Sequence, residues 1–384
     1  MIPRRLIAHI QELLRYYPAI SVTGPRQAGK TTLLRSLLSD YTYLSFETPD
    51  VRQDFLTDPK GFIRQYGEKV IFDEAQHVPE LFSYLQTNID LDRRPGRFVL
   101  SGSQNFLLRK NITQSLAGRI GIARLLPLDL QEKGLLEDDG YLRAIINGSY
   151  PEQFVRQIPP KLFYANYIYS YVQRDVAGLI DPKSMAAFER FMGLLAGQSG
   201  QLLNLSSLST AVGISVPTVK SWLSILEQSY IVFQLTPYYK SMMRRLVKSP
   251  KVYFYDTGLL CHLLRIRTNE QLKNHYHFGS IFENFIVADA YKSTFHQGEQ
   301  PGFHFYRDSN GAEVDLVYED AAKQLLWEIK ATETYHPRLV RKMKSVAKSI
   351  FPNAVQHLIY TGAESVQLDG VERIPWQEVS WEIT

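Results

Sequence analysis

The first third of the chain alternates short, unbroken apolar runs with amphipathic stretches. "AISVT" (Ala19 to Thr23), "VIF" (Val70 to Phe72) and "RFVLSG" read as buried strands of a parallel sheet, and Thr31 onward reads as a helix. From about Gly148 to Gly197 the pattern is helical and aromatic. "LSSLSTAVGISVPTVKSWLSILEQ" then gives two helices around a tight turn at Gly213, with Ser215 as N-cap before Pro217. The strand "YIVFQLTPYY" follows, and "FGSIFENFIVADAYK" predicts a further helix. In "GAEVDLVYEDAAKQLLWEIKAT" the alternation changes to that of two strands joined by a polar turn. Val314, Leu316, Tyr318, Trp327 and Ile329 would point to one face, with Glu313, Asp315, Glu328 and Lys330 on the other.

With 384 residues the chain is too long for one ordinary core. The pattern predicts an α/β protein of three parts. Residues 1–135 form a phosphate-loop parallel sheet, 136–265 a helical and winged-helix region, and 266–384 a small mixed α/β domain. At 45% hydrophobic and 21% charged residues the composition is that of a globular protein. Cys261 is the one cysteine, which excludes an internal disulfide framework. No apolar run is long enough to span a bilayer, and the amphipathic start "MIPRRLIAHIQELLRYYP" lacks a signal-peptide core, so a cytoplasmic, membrane-free protein is expected.

Between the first strand and its helix, Gly24 to Thr31 fits G-x-x-x-x-G-K-[ST]. The glycines let backbone N–H groups wrap a phosphate, Lys30 reaches the terminal phosphates, and Thr31 holds Mg²⁺. Gly24, Pro25, Arg26, Gln27, Ala28, Gly29, Lys30, Thr31 and Thr32 are therefore the candidate ATP ligands. The strand "KVIFDEAQ" ends in Asp73, which can hold Mg²⁺ with Thr31, and Glu74, which can deprotonate the attacking water. "RFVLSGSQN" ends in Ser101, Ser103, Gln104 and Asn105, where a polar side chain could sense the γ-phosphate; Ser103 is the candidate. Arg119 is the candidate arginine finger for a neighbouring subunit's ATP, with Arg109 as its rival.

"GPRQAGKTTLL", "VIFDEAQHVP", "FVLSGSQNFLL" and "SLAGRIGIARLLPL" resemble the AAA-like ATPases of bacteria and archaea that carry a C-terminal domain of unknown function. The resemblance extends over nearly the whole chain, "PKVYFYDTGLLCHLL" included. It implies a sheet of the additional-strand type, a catalytic glutamate after the Walker B aspartate, and homo-oligomeric assembly.

A net charge of +4 leaves local clustering to decide about nucleic acid. In the middle region Tyr164, Tyr167, Tyr169 and Tyr171 could stack bases, but their spacing favours helix packing. The helix-turn-helix, followed by a strand and a basic segment, suggests a winged helix. Lys220, Lys240, Arg244, Arg245, Lys248 and Lys251 would form its DNA-facing surface.

The last third places Glu283 on a helix, Asp315 on a strand, and Glu328-Ile329-Lys330 on the next. That order resembles the restriction-endonuclease-like nuclease core, whose signature is an aspartate followed by E-x-K. Asp315 and Glu328 could bind Mg²⁺, Glu283 could complete the set, Lys330 could activate water, and Glu313 could support the ligands from behind. The sequence thus predicts an ATP-hydrolysing protein acting on DNA with a nuclease-like C-terminal domain. The alternative is a nucleotide-dependent switch that recruits a protein partner and cuts nothing. A kinase of small substrates suits the Asp73-Glu74 pair less well.

Overall fold

The computed structural model describes residues 2–102, 115–134, 140–171, 176, 178–239 and 249–382. Ser103, Gln104, Asn105, Arg109, Lys240, Arg244, Arg245 and Lys248 lie outside them. Strands β1 (Ala19–Thr23), β2 (Thr42–Ser45), β3 (Val70–Asp73), β4 (Phe98–Gly102) and β5 (Ile120–Arg124) form a parallel sheet in the order β2-β3-β4-β1-β5. Strand β4 stands between β1, which leads into the phosphate loop, and β3, which ends in Asp73. This is the additional-strand arrangement that the resemblance implies.

Both faces of that sheet are covered, which is why its strands are continuously apolar. Val70, Phe72 and Leu100 pack on Phe62, Leu81, Phe82 and Leu85 on one side. Ile20, Val22 and Ile71 pack on Leu6, Ile10, Leu33 and Leu34 on the other.

The middle region runs through helices Tyr141–Asn147, Pro151–Arg156, Pro160–Tyr171 and Met185–Ala196 to the paired helices Leu205–Val212 and Val216–Gln228. Gly213 takes φ 82°, closing the first of that pair, and Ser215 Oγ accepts the Thr218 N–H at 3.2 Å to open the second. Antiparallel strands β6 (Val232–Leu235) and β7 (Lys251–Phe254) follow, and bridges at Ser199 and Leu202 join β7's edge. Tyr164, Tyr167 and Tyr171 are buried packing residues, whereas Tyr169 is exposed.

The last domain is a six-stranded mixed sheet with β8 (Phe303–Arg307), β9 (Glu313–Glu319), β10 (Gln324–Lys330), β11 (Val355–Tyr360), β12 (Val366–Leu368) and β13 (Val371–Pro375). Its order is β12-β13-β11-β10-β9-β8, with β10, β11 and β13 mutually parallel. Helix Phe278–His296 packs on Leu316, Trp327, Ile329 and Ile359. The crossover helix Arg341–Ile350 packs on Val314, Val317, Leu326 and Leu358.

Two expectations change here. The sheet is covered on both faces rather than having one charged face, and Val314 belongs to the side opposite Leu316. A register irregularity between His304 and Tyr306 on β8 lies beside that end of β9.

A single apolar core spans Leu126 to Trp381, so the middle region and the last domain share their packing. Asn284 locks them together. Its side chain accepts from Phe254 N–H at 2.8 Å and Ser199 Oγ at 2.5 Å, and donates to Phe254 O at 2.8 Å. No described helix is long and apolar enough to cross a membrane. Because Asn284 is fully buried, Asn284→Ala orphans both backbone groups of Phe254 and is expected to cost about 2–4 kcal/mol. Urea unfolding followed by circular dichroism reads this loss, and a change below about 1 kcal/mol would remove Asn284 as the lock.

Candidate functional site

The phosphate loop leaves β1 at Gly24, whose φ is 150°, and a Cβ there would lie 2.0 Å from Leu125 O. Gly29 at φ 91° and Gln27 at φ 60° complete the left-handed turns that curl the loop around its N–H groups. Lys30 Nζ donates to Gly24 O at 2.9 Å and Pro25 O at 2.8 Å, bridging the loop's entry. Thr31 Oγ1 donates to Asp73 Oδ2 at 2.7 Å, bringing the two predicted Mg²⁺ ligands together. Ser101 on β4 donates to Asp73 Oδ1, and Tyr43 OH on β2 donates to Oδ2 at 2.7 Å. Burial and the neighbouring Asp73 carboxylate raise the Tyr43 hydroxyl's pKa, which keeps it a donor.

Glu74 takes a left-handed φ of 52° just past β3, and Gln76 Nε2 donates to its carboxylate. Neither Tyr43 nor Gln76 is marked in the sequence. Only the parallel register that sets β2 against β3 brings Tyr43 to the site, and nothing distinguishes Gln76 from any residue of a turn.

A cavity of about 600 Å³ opens beside the loop, lined by Gln27, Gly29 and Thr32, by the N-terminal arm (Ile2, Arg4) and by Pro151, Val155 and Arg156. It suits the base and ribose of a nucleotide whose phosphates lie in the loop.

Arg4 also reaches across the molecule. It donates to Ala28 O of the loop at 2.8 Å and to Leu126 O at 2.6 Å, and its Nε lies 3.0 Å from Glu132 Oε2. Glu132, Asp129 and His296 bring one ligand atom each within 4.8 Å of one another and are all buried. They are already saturated by protein groups. Leu126 N–H donates to His296 Nε2 at 3.2 Å, which leaves Nδ1–H for Asp129 at 2.9 Å. Arg5 N–H donates to Glu132 at 2.8 Å, and Arg5 Nη1 lies 3.6 Å from Asp129. The cations of this cluster are arginines, and it is a buried ionic joint between the loop and helix Phe278–His296.

At the end of β1, Thr23 Oγ1 and Tyr230 OH lie 3.0 Å apart, tying the loop's base to the residue just past helix Val216–Gln228. Arg119, by contrast, sits at the opposite edge of the sheet. Ile120 pairs with Ala19, at the far end of β1 from the loop. The Arg119 guanidinium is held by Asp90 through two bonds of 2.8 and 2.9 Å.

In the last domain Asp315, Glu328 and Lys330 do meet. Lys330 Nζ lies 3.0 Å from Asp315 Oδ2 and 2.6 Å from Glu328 Oε1, and Asp315 also accepts the Ile329 N–H at 2.8 Å. Glu283 and Glu313 are drawn instead to Lys251, at 2.9 and 2.7 Å, and Tyr253 OH donates to Glu283 at 2.5 Å.

The sequence assigns Lys251 to a DNA-facing surface, and the structure corrects this. Lys251 is 2% exposed and compensates the carboxylates of Glu283, Glu313 and Asp315 around it. Burial raises the Glu283 carboxyl and, aided by Asp315, pushes Glu328 up to about 8. Burial would raise Asp315 as well, but Lys330 and Lys251 more than offset it and hold it below the usual range. Glu283, Asp315 and Glu328 do not bring one oxygen each within 4.8 Å of one another. With two lysines among them, these side chains as placed do not fit a divalent cation.

Residues 16–134 match an AAA domain, residues 138–270 a domain of unknown function (DUF8612), and residues 278–379 another domain of unknown function (DUF4143). An uncharacterized protein of Mycobacterium tuberculosis is 29% identical over 380 residues, covering 98% of this chain and 84% of its own. One from Methanocaldococcus jannaschii is 20% identical over 391 residues, covering 92% and 85%. Among solved structures, a Walker-type ATPase of Pyrococcus abyssi is similar, at 14% identity and TM-score 0.49 over 68% of this chain and 96% of that one. The chain thus carries an AAA domain of the P-loop ATPase type, built on an additional-strand parallel sheet, followed by a C-terminal domain of unknown function (DUF4143).

Proposed function

We propose that the protein hydrolyses ATP as a homo-oligomer and couples the state of its nucleotide to a C-terminal half that engages DNA. The observation that carries the hydrolytic reading is the Thr31–Asp73 hydrogen bond with Glu74 directly beyond it. A hydroxyl and a carboxylate held together in this way fit Mg²⁺, which when bound would neutralise charge on the β- and γ-phosphates. Lys30 would turn from the Gly24 and Pro25 carbonyls to the terminal phosphates. Glu74, aimed by Gln76, would take the proton of the attacking water.

Arg119, at the far edge of the sheet from its own loop, suits a neighbour's ATP and not its own, which is the argument for assembly. Arg4 and Tyr230 give the loop two mechanical ties to the remainder of the chain. The DNA reading is supported by the order of helix Met185–Ala196, the bridged segment, two helices, β6 and β7, which is that of a winged helix.

No nuclease step is assigned to the last domain, because its acid cluster as placed does not fit a metal. Lys251 is paired with Glu283 and Glu313 and Lys330 with Asp315 and Glu328, and Glu328 holds a proton near neutral pH. That balance favours a domain that grips over one that cuts. The second reading, a switch that recruits a protein partner, is favoured by the same occupation of the cluster by Lys251.

Lys30→Ala should lose tight ATP binding in calorimetry. Glu74→Gln should bind ATP normally yet release phosphate at least about 100-fold more slowly. Unchanged turnover in the Glu74→Gln protein rejects that glutamate as the base. Duplex DNA should raise the wild-type rate, and indifference to DNA would favour the protein-recruiting switch.

Arg119→Ala should bind ATP and fail to hydrolyse it. Mixed with equally inactive Glu74→Gln protein, it should regain activity, because some interfaces then pair an intact Glu74 with an intact Arg119. A mixture as inactive as its parts would exclude Arg119 as a group acting between subunits.

The raised Glu328 carboxyl gives a third test. Between the usual 4.5 and about 8 it is protonated in the fold and ionised when unfolded. Unfolding therefore releases a proton, and stability falls as pH rises, by at most about 1.4 kcal/mol per pH unit. Glu328→Gln removes that slope. In urea unfolding the stability of the wild type minus that of the variant should decline from pH 5 to 8, and a flat difference would refute the protonated carboxyl.

A further inference from the structure

The crossover helix Arg341–Ile350 and the turn before it carry Arg338, Arg341, Lys342, Lys344 and Lys348, and residues 334–363 contain no Asp or Glu. Without these five side chains the chain's net charge of +4 would be −1. Helical spacing sorts the segment sharply: Met343, Val346 and Ala347 are buried against the sheet, while Arg341, Lys342, Ser345, Lys348 and Ser349 are exposed. Lys344 lies half-buried at the flank. None of the five cations forms an ion pair or side-chain hydrogen bond with a described residue, whereas Arg94 and Arg119 of the ATPase domain both hold carboxylates. The helix also lies over the face that Leu326 shares, by alternation, with Glu328 and Lys330.

We propose that this cationic helix face binds the sugar–phosphate backbone of duplex DNA. The proposal rests on the DNA-engaging reading above and moves the contact to the last domain. Helix Val216–Gln228 carries a single cation, Lys220.

A ten-residue helix is about 15 Å long, and a duplex presents one negative charge per ~1.7 Å of its axis. The row of cations therefore meets several phosphates at once. A lipid surface fits less well, because the helix's apolar stripe is consumed by the sheet and its outer face offers serines in place of large apolar side chains.

The test is fluorescence anisotropy of a labelled duplex with the full chain across a salt series. Arg341→Gln/Lys348→Gln should weaken binding by about tenfold or more and reduce the slope of log affinity against log salt by about 1.8, or ~0.9 per lost phosphate contact. Lys60→Gln/Arg64→Gln, on an exposed helix of the ATPase domain, should leave both unchanged, and DNA-independent ATPase rates should be equal in all three proteins.

Wild-type affinity and slope in the Arg341/Lys348 variant would overturn the surface while leaving DNA binding intact. Equal losses in both double variants would also overturn it, reducing the effect to net charge. A wild-type protein that binds no duplex at any salt would overturn both this surface and the DNA-engaging reading. Capture by phosphatidylserine vesicles in place of duplex would reassign the helix to a lipid surface and overturn the proposal.

Discussion

The guanidinium of Arg4 is the interaction on which the rest of the architecture turns. A buried charge is tolerated only when its hydrogen-bonding capacity is met inside the fold. Arg4 finds its partners in three separate places: its Nη groups donate to the loop carbonyl of Ala28 and to Leu126 O where the chain leaves β5, and its Nε is ion-paired with Glu132 beside His296. The N-terminal arm, the nucleotide loop and the end of helix Phe278–His296 are therefore fixed relative to one another by a single side chain. Removing it would cut the tie to the loop and leave Glu132 to the backbone N–H groups of Arg5 and Asp129. Helix Phe278–His296 carries the constraint onward, since its buried face holds Lys292, Asp289 and Asn284 as well as Glu283. These groups are engaged in turn: Lys292 donates to Leu128 O at 2.8 Å, and Asp289 accepts from Trp381 Nε1 at 2.8 Å.

The same rule explains the acid cluster better than any ligand does. Four carboxylates converge at the ends of β7, β9 and helix Phe278–His296, and the chain places two lysines among them. Lys251 serves Glu283 and Glu313, and Lys330 serves Asp315 and Glu328. Each pair limits what its members can bind, because an oxygen that accepts from an ammonium has lone pairs committed to it. A divalent cation would have to displace both lysines or draw Glu283 away from β7. The cluster as it stands is a joint between the middle region and the last domain, built from residue types that also occur in nuclease centres.

Much of this is legible in the sequence, and the reasons for the rest are specific. The loop from Gly24 to Thr31, the acid pair Asp73-Glu74 and the turn at Gly213 are local devices, encoded by adjacent residues. The meeting of Asp315 with Glu328 and Lys330 is also readable, because a hairpin's register follows from its own alternation. Lys251 misleads because it sits close to Lys240, Arg244, Arg245 and Lys248 in the chain, and nothing in a basic run marks Lys251 as lying on a buried strand. Val314 goes to the wrong face because the register irregularity beside it lies on the neighbouring strand, between His304 and Tyr306, and leaves no mark in the hairpin's own pattern. Arg4 and Tyr43 have no local signature. Their roles exist only once an arm and a neighbouring strand are laid beside the loop.

The two ends of the ATPase sheet divide its work in a way the strand order makes unavoidable. In a parallel sheet all carboxyl ends lie together, so Thr23, Asp73 and Ser101 surround one site and Ala19, Phe98 and Ile120 lie at the other edge. Among the described residues, those gathered around the phosphate loop within one subunit come from the first edge. The ties to the other domains, through Ala28 to Arg4 and through Thr23 to Tyr230, leave from that same edge. Arg119, among the described ATPase candidates, belongs to the second edge. The loop's buried contacts thus end at Tyr230, just past the helix that follows the Gly213 turn, and, through Arg4, Glu132 and His296, on the helix that carries Glu283. The bonds from Lys30 to Gly24 and Pro25, by contrast, are internal to the loop.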